Sequence, residues 1–265
     1  MHFTGLHRAL FLGPRTEQVH AMRSSHVSPY FTVRASSMAL LIAACASGVG
    51  AQPASAPAAA PAAAKANTPQ GNAKAGQAIM TAGVPPAVAA CTSCHGAKGE
   101  GAGAFPPLTG SGAAYLRAQL DAFADGSRVN PVMAPIAKGL NAQQRADVSA
   151  YLASLPSGIV QPATVVAALP TNIEPDNAGA WLVHRGRMAE GVPACASCHG
   201  LVGQGVGQHF PAIAHLSAAY MQSQIEAWKN NQRGPGPLGL MQGIAKKLSS
   251  DDVKAVADFY ASRAK

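Results

Sequence analysis

The sequence predicts an all-α protein of two tandem helical domains, and three observations carry that prediction. The chain repeats itself, its apolar residues recur at helical spacing, and no run alternates as a half-buried strand would. The repeat is the firmest of the three. Two pentads, "CTSCH" at 91–95 and "CASCH" at 195–199, stand 104 residues apart. After one inserted residue, Phe105-Pro106 matches Phe210-Pro211, and "YLRAQLDAFADGSR" (115–128) matches "YMQSQIEAWKNNQR" (220–233). After three more, "MAPIAKGLNAQQRADVSAYLAS" (133–154) matches "MQGIAKKLSSDDVKAVADFYAS" (241–262). Agreement of that length marks a tandem duplication.

Each repeat reads as short helices joined by irregular loops. Residues 73–83 and 178–190 are helical candidates ahead of the pentads. Residues 112–125 place Tyr115, Leu116, Leu120 and Phe123 at helical spacing, and residues 217–231 do the same with Tyr220, Met221, Ile225 and Trp228. The last helix of each repeat starts at a capping residue, Asn141 or Ser249. Such a side chain accepts a hydrogen bond from a free N–H of the first turn, and Asp251 and Asp252 suit the positive end of the helix dipole. Its inward face carries Val148, Tyr151 and Leu152 in one copy, and Val256, Phe259 and Tyr260 in the other. The expected boundaries are a leader over 1–51, an Ala/Pro-rich tether over 52–72 and a first domain over 73–155. A proline-rich linker over 156–177 then leads to a second domain over 178–265.

Aromatic residues make up 5% of the chain and charged residues 12%. That is a thin supply for repeats of roughly 85 residues, a size already marginal on its own. A buried planar cofactor would complete such cores. The formal charge is +8, but residues 52–265 carry sixteen basic against eleven acidic side chains, so part of the excess belongs to the leader. No Lys/Arg block stands beside interleaved aromatics, and no nucleic-acid partner is expected. Four of the five cysteines lie in C-x-x-C pairs and the fifth, Cys45, lies in the leader, which does not make a disulfide framework.

Residues 35–51 follow Arg34 and are small, apolar and uncharged. They are too short for a membrane span of about 20 residues, and fit an export signal starting near Met22 and cleaved after Ala51. Ile42-Ala43-Ala44-Cys45 also resembles a lipobox, which would leave Cys45 lipidated and the next segment as an extended spacer. Both readings place the protein in the periplasm, one of them anchored to the membrane.

Two thiols three residues apart, followed by an imidazole, match the attachment site of c-type haem. The thiols add across the two vinyl groups of the porphyrin, and the histidine comes under the iron as proximal ligand. Cys91, Cys94 and His95 are thereby assigned to one covalently attached haem c, and Cys195, Cys198 and His199 to a second. A zinc ribbon has no need of a histidine after each pair, and a thioredoxin-like pair needs a βαβ frame. The glycines that follow, "GAKGEGAG" and "GLVGQGVG", read as a tight loop passing the haem edge. A phosphate-binding fingerprint would follow a strand and open a helix.

Met133 and Met241 lie 38 and 42 residues after their histidines, in register ahead of "I-A-K-x-L", and are the candidates for the sixth iron ligand. Thioether sulfur favours ferrous iron and raises the potential relative to a second imidazole. Met80, Met188 and Met221 are unmatched between the repeats and read as core side chains; His209 and His215 read as loop or surface residues.

With these motifs in place, the chain resembles the dihaem cytochrome c4 family over about residues 73–265. The likeness is sharpest in "YLRAQLDAFADGSRVNPVMAPIAKGL" and its spacing from "CTSCHGAKGEG". The resemblance implies two class I cytochrome c domains about a pseudo-twofold axis, each with one His/Met haem. It implies a periplasmic or membrane-associated electron carrier feeding terminal oxidases. It also implies that Pro106 and Pro211 offer a carbonyl to the proximal imidazole, and that Arg128 and Arg233 lie near haem propionates. Without the resemblance, those arginines read as solvated helix ends. The second repeat departs from the family form, since "GPGPLGLM" is longer and lacks "NPVMAP".

The expected function is non-enzymatic electron transfer. Single electrons would come from a quinol-oxidising complex or a dehydrogenase and pass to a terminal oxidase or reductase. The rivals are a dihaem enzyme (a peroxidase or an oxidiser of sulfur compounds) and the cytochrome subunit of a membrane dehydrogenase. An enzyme needs an open iron position or an acid/base beside it; Glu100, Glu174 and Glu190 are the nearest candidates, and none is duplicated.

Overall fold

The computed structural model describes residues 69–159 and 173–262. The leader, most of the tether, residues 160–172 of the linker and the last three residues lie outside that range. The first repeat runs α1 (Ala73–Ala82), α2 (Thr92–His95), α3 (Ala113–Asp125), α4 (Met133–Lys138) and α5 (Ala142–Ser154). The second runs α6 (Ala178–His184), α7 (Ala196–His199), α8 (Ala218–Lys229), α9 (Leu240–Ala245) and α10 (Ser250–Ala261). Among the described residues β-structure is confined to isolated bridges, so the all-α expectation holds. No helix among them is long and apolar enough to cross a membrane.

The first and last helices of each repeat pack on each other, α1 on α5 and α6 on α10. A glycine makes each crossing close. A Cβ on Gly76 would stand 2.0 Å from the Asp147 carbonyl oxygen, and one on Gly179 would stand 2.5 Å from that of Ala255. Glycine inside a helix costs about 1 kcal/mol relative to alanine; here it lets two backbones touch. The expected caps form: Asn141 with Gln144, and Ser249 with Asp252, each complete a reciprocal capping box. Ile79, Met80, Leu116, Val148 and Leu152 fill the first core, and Leu182, Met221, Ile225, Val256 and Tyr260 the second. Tyr151 and Phe259 pack at the edges, half-buried.

One helical expectation is corrected. The segment 178–190 stops being α-helical at His184, because Gly186 takes φ 68° and the chain turns back, with Arg187 and Val192 exchanging backbone hydrogen bonds. Met188 therefore leaves the helical face for a 3₁₀ turn and is 70% exposed, not a core residue, while Met80 and Met221 are buried as expected.

The two repeats meet along a seam built from matched residues. Arg128 and Arg233 form an antiparallel bridge, with Val129 N–H donating to Gln232 O at 2.8 Å and Gly234 N–H to Ser127 O at 2.6 Å. Arg128 donates to Gln119 Oε1 (2.9 Å), Tyr220 Oη (2.9 Å) and Gln224 Oε1 (2.6 Å). Arg233 donates to Gln224 Oε1 (3.0 Å), Tyr115 Oη (3.0 Å) and Gln119 Oε1 (2.8 Å). Each guanidinium also stacks on an aromatic ring of its own repeat, Phe123 at 4.4 Å and Trp228 at 3.9 Å. Both arginines are only 6% exposed, which overturns their reading as solvated helix ends.

The second repeat carries an ion pair that joins its pre-pentad turn to α10. Arg187 donates from Nη1 and Nη2 to the two carboxylate oxygens of Asp252, both at 2.8 Å, and from Nε to Glu190 at 2.8 Å. The same Asp252 accepts from Ser249 N–H at 2.8 Å. Bonding to Arg187 holds the Asp252 carboxyl far below the usual carboxylate range. A depressed folded-state pKa adds stability that is complete above the unfolded value and fades as pH falls toward the folded one. D252A is expected to cost about 2 kcal/mol at pH 7 through the lost charged hydrogen bonds and cap. The gap between wild type and variant should close progressively below about pH 4. Thermal melts of the holoprotein at pH 7 and pH 3 check this, and an equal gap at both pH values would contradict it.

Candidate metal centres

Each pentad folds into a single helical turn. Cys94 N–H and His95 N–H both donate to Cys91 O, at 3.2 and 2.9 Å, and Cys198 and His199 do the same to Cys195 O at 3.3 and 2.9 Å. Positions i, i+3 and i+4 share one face of such a turn, so two thiols and one imidazole converge in each repeat. The described cysteines, Cys91, Cys94, Cys195 and Cys198, are all free thiols.

The imidazoles are buried, His95 at 6% and His199 at 7% exposure. His95 Nδ1 lies 2.8 Å from Pro106 O, and His199 Nδ1 lies 2.8 Å from Pro211 O. A carbonyl only accepts, so Nδ1 must carry the proton and Nε2 keeps its lone pair for a metal. Burial lowers both histidine pKa values, against the opposing pull of the proline carbonyl. A neutral imidazole is the form that ligates. Burial also raises the Cys91 thiol and pushes Cys195 up to about 11. Two free thiols beside an imidazole oriented by its proline carbonyl fit the covalent attachment of haem c.

The glycine runs form the loop that carries each proline back under its pentad. Gly101 N–H donates to His95 O and Gly205 N–H to His199 O, both at 2.8 Å. Leu108 N–H then returns to Gly99 O and Ile213 N–H to Gly203 O, again at 2.8 Å. The acidic residues weighed as catalytic groups have structural partners: Glu100 accepts from Lys98 N–H at 2.7 Å within this loop, and Glu190 pairs with Arg187.

Met133 opens α4 and is part-buried, its N–H held by Asn130 Oδ1 at 2.8 Å. Met241 stands second in α9, also part-buried. Its approach differs, as the longer segment foreshadowed. A 3₁₀ turn over Pro237–Gly239 replaces the asparagine cap, with Leu238 at φ 56° and 94% exposed. Gln242 Nε2 donating to Asn231 Oδ1 at 3.0 Å ties α9 back to the end of α8. His209 and His215 are exposed, as expected of loop residues.

Tyr115 and Tyr220, expected on the apolar helical faces, and the aligned Gln119 and Gln224, to which the sequence assigned no task, are instead the acceptors for the two arginines. Matched polar residues on an otherwise apolar helical face were the available signal.

The Cytochrome c family profile matches residues 73–156 and 187–263. The chain is also 35% identical over 192 residues to a cytochrome c4 of Pseudomonas aeruginosa, covering 71% of this chain and 87% of that one. The chain belongs to the cytochrome c family, in its dihaem c4-like branch. This cytochrome is 41% identical over 196 residues to a thiosulfate dehydrogenase electron acceptor of Stutzerimonas stutzeri, covering 73% of this chain and 88% of that one. A solved thiosulfate dehydrogenase from Marichromatium purpuratum matches 72% of this chain with a TM-score of 0.62 and 32% identity, and the match spans 40% of that chain. Membership brings covalently bound haem c to both pentads.

The attachment chemistry is separable by repeat. C195A/C198A should release one of two haems to acid–acetone extraction while the other stays bound. C195A alone should keep both haems but leave one vinyl group unsaturated, moving the pyridine haemochrome band to longer wavelength. Full retention of both haems in the double variant would count against attachment at the second pentad.

Proposed function

We propose that this dihaem cytochrome is the one-electron acceptor of a thiosulfate-oxidising dehydrogenase, with His95 and Met133 ligating one iron and His199 and Met241 the other. The observation that carries it is the duplicated geometry: a buried imidazole with its Nδ1 proton committed to Pro106 or Pro211, and a methionine in the first turn of the following short helix. Haem supplies a reversible Fe(III)/Fe(II) couple. The proline carbonyls orient each imidazole and raise its basicity. Met133 and Met241 would supply thioether sulfur to the irons, a ligand that favours ferrous iron and would keep small molecules from the metals. Arg128 and Arg233, which donate to the neutral oxygens of Gln119, Gln224, Tyr115 and Tyr220, keep their charge for haem propionates.

The choice of donor rests on the 41% identity to a thiosulfate dehydrogenase electron acceptor, above the 35% to a cytochrome c4. From here electrons pass to a terminal oxidase or reductase. Export to the periplasm, free or anchored through Cys45, belongs to the same proposal and rests on the leader over 1–51. The sixteen basic and eleven acidic residues outside the leader leave a net +5, which the four haem propionates would bring close to neutrality, making docking only modestly salt-sensitive.

Thiosulfate alone should leave the ferric protein oxidised, and adding a thiosulfate dehydrogenase should reduce both haems, followed at the ferrous α band. Reduction by thiosulfate without the dehydrogenase would make this chain an enzyme and overturn the proposal. M133H and M241H should each remove about half of the weak red absorption of the ferric protein and lower one of two potentials.

A further inference from the structure

The start of α3 is capped from the other repeat. Gly112 stands at its N-cap and offers no side-chain bond, and the first-turn N–H of Tyr115 donates instead to Gln208 O at 2.9 Å. The matching helix α8 caps itself, with Ser217 Oγ accepting from Tyr220 N–H at 3.2 Å. A serine could not stand at 112: a Cβ there would lie 2.4 Å from Gln208 Cα and 2.7 Å from its carbonyl atoms.

Gln208 belongs to the loop that holds the second proximal histidine. Val206 and Phe210 close a turn one residue longer than its Ala102–Phe105 counterpart, and the extra length falls where Gln208 reaches across. Pro211 follows, its carbonyl bonded to His199 Nδ1 at 2.8 Å. The next N–H, of Ala212, donates to Ser111 Oγ of the first repeat at 3.3 Å. The proline loop of the second repeat is thus held on both sides of Pro211 by residues 111–115. Among the described residues, the Phe105–Leu108 loop of the first repeat takes its hydrogen bonds from its own repeat.

We infer that Ser111, Gly112 and the Tyr115 N–H form a cross-domain clamp on the Pro211 loop, through which the first domain sets the reduction potential of the second haem. Ser111 and Gly112 are positioning residues, acting through Pro211 on His199; the inference rests on His199 being the iron ligand. A firm Nδ1–H···O=C bond makes the imidazole more basic and favours ferric iron. Loosening the clamp weakens that bond and raises the potential of the second haem alone.

The test is potentiometric titration of the holoprotein carrying S111A or G112A, with the second wave assigned as the one that M241H displaces. Each variant should raise the ferrous-to-ferric ratio of the second haem at least threefold at fixed potential, about 28 mV at 59 mV per tenfold for one electron, and leave the first unmoved. S217A removes a helix cap of the second repeat without touching the Pro211 loop, and should lower the melting temperature while moving neither wave. If G112A does not fold, S111A decides. An unmoved second wave in S111A, or equal movement of both waves, overturns the clamp. Paramagnetic NMR of the ferric variants reads histidine ligation separately: loss of the His199 signal from wild type would sink the ligand assignment, whereas its presence with an unmoved potential sinks only the clamp.

Discussion

The bond from each pentad imidazole to a proline carbonyl is the constraint around which both repeats are organised. A ring bonded at one nitrogen can turn only within the freedom of its acceptor, so the acceptor must itself be held. Glycine-rich backbone does this, running from the pentad through Gly101 or Gly205 and returning by Leu108 or Ile213 to close on itself. The single-turn helices α2 and α7 supply the other half, setting two thiols and the imidazole on one face. Helix crossings at Gly76 and Gly179 then hold the first and last helices of each repeat together. Few large side chains are needed where backbones touch, and a bound haem would fill space that aromatics would otherwise occupy.

A second constraint is the charge at the seam. Burying a guanidinium away from water costs several kcal/mol unless its donors are satisfied, and here two of them share a pair of glutamines. The hydrogen bonds from each arginine, together with an aromatic ring under it, offset that cost. Since the same residues come from equivalent places in each repeat, the surface is self-complementary in the way of an isologous contact. Duplication of one domain therefore supplied both sides of its own interface. The clamp at Gly112 and Gln208 breaks that symmetry, and it does so where the repeats differ by one inserted residue.

Features that depend on neighbours in the chain were legible. The pentads, the helix caps at Asn141 and Ser249 and the apolar faces of α3, α5, α8 and α10 are all written in residues that lie close together in the chain. Where a helix ends proved harder. Nothing in "WLVHRGRMAEG" weighs the turn at Gly186 against helix continuation, and Met188 was misplaced for that reason. The arginines failed differently: Arg128 and Arg233 sit at helix ends rich in polar residues, and only the partner repeat converts that place into an interior.

By itself the sequence determined the duplication, the all-α class, the covalent attachment of two haems and the cytochrome c family, because each is written in local spacing and in register between the halves. The tertiary structure alone decided that Arg128 faces Arg233, that Gln119 and Gln224 are shared between them, and that a backbone carbonyl of one repeat caps a helix of the other. Those contacts join residues about a hundred positions apart, and the pairing is selected by shape and by the need to satisfy buried donors, which no short window of sequence contains.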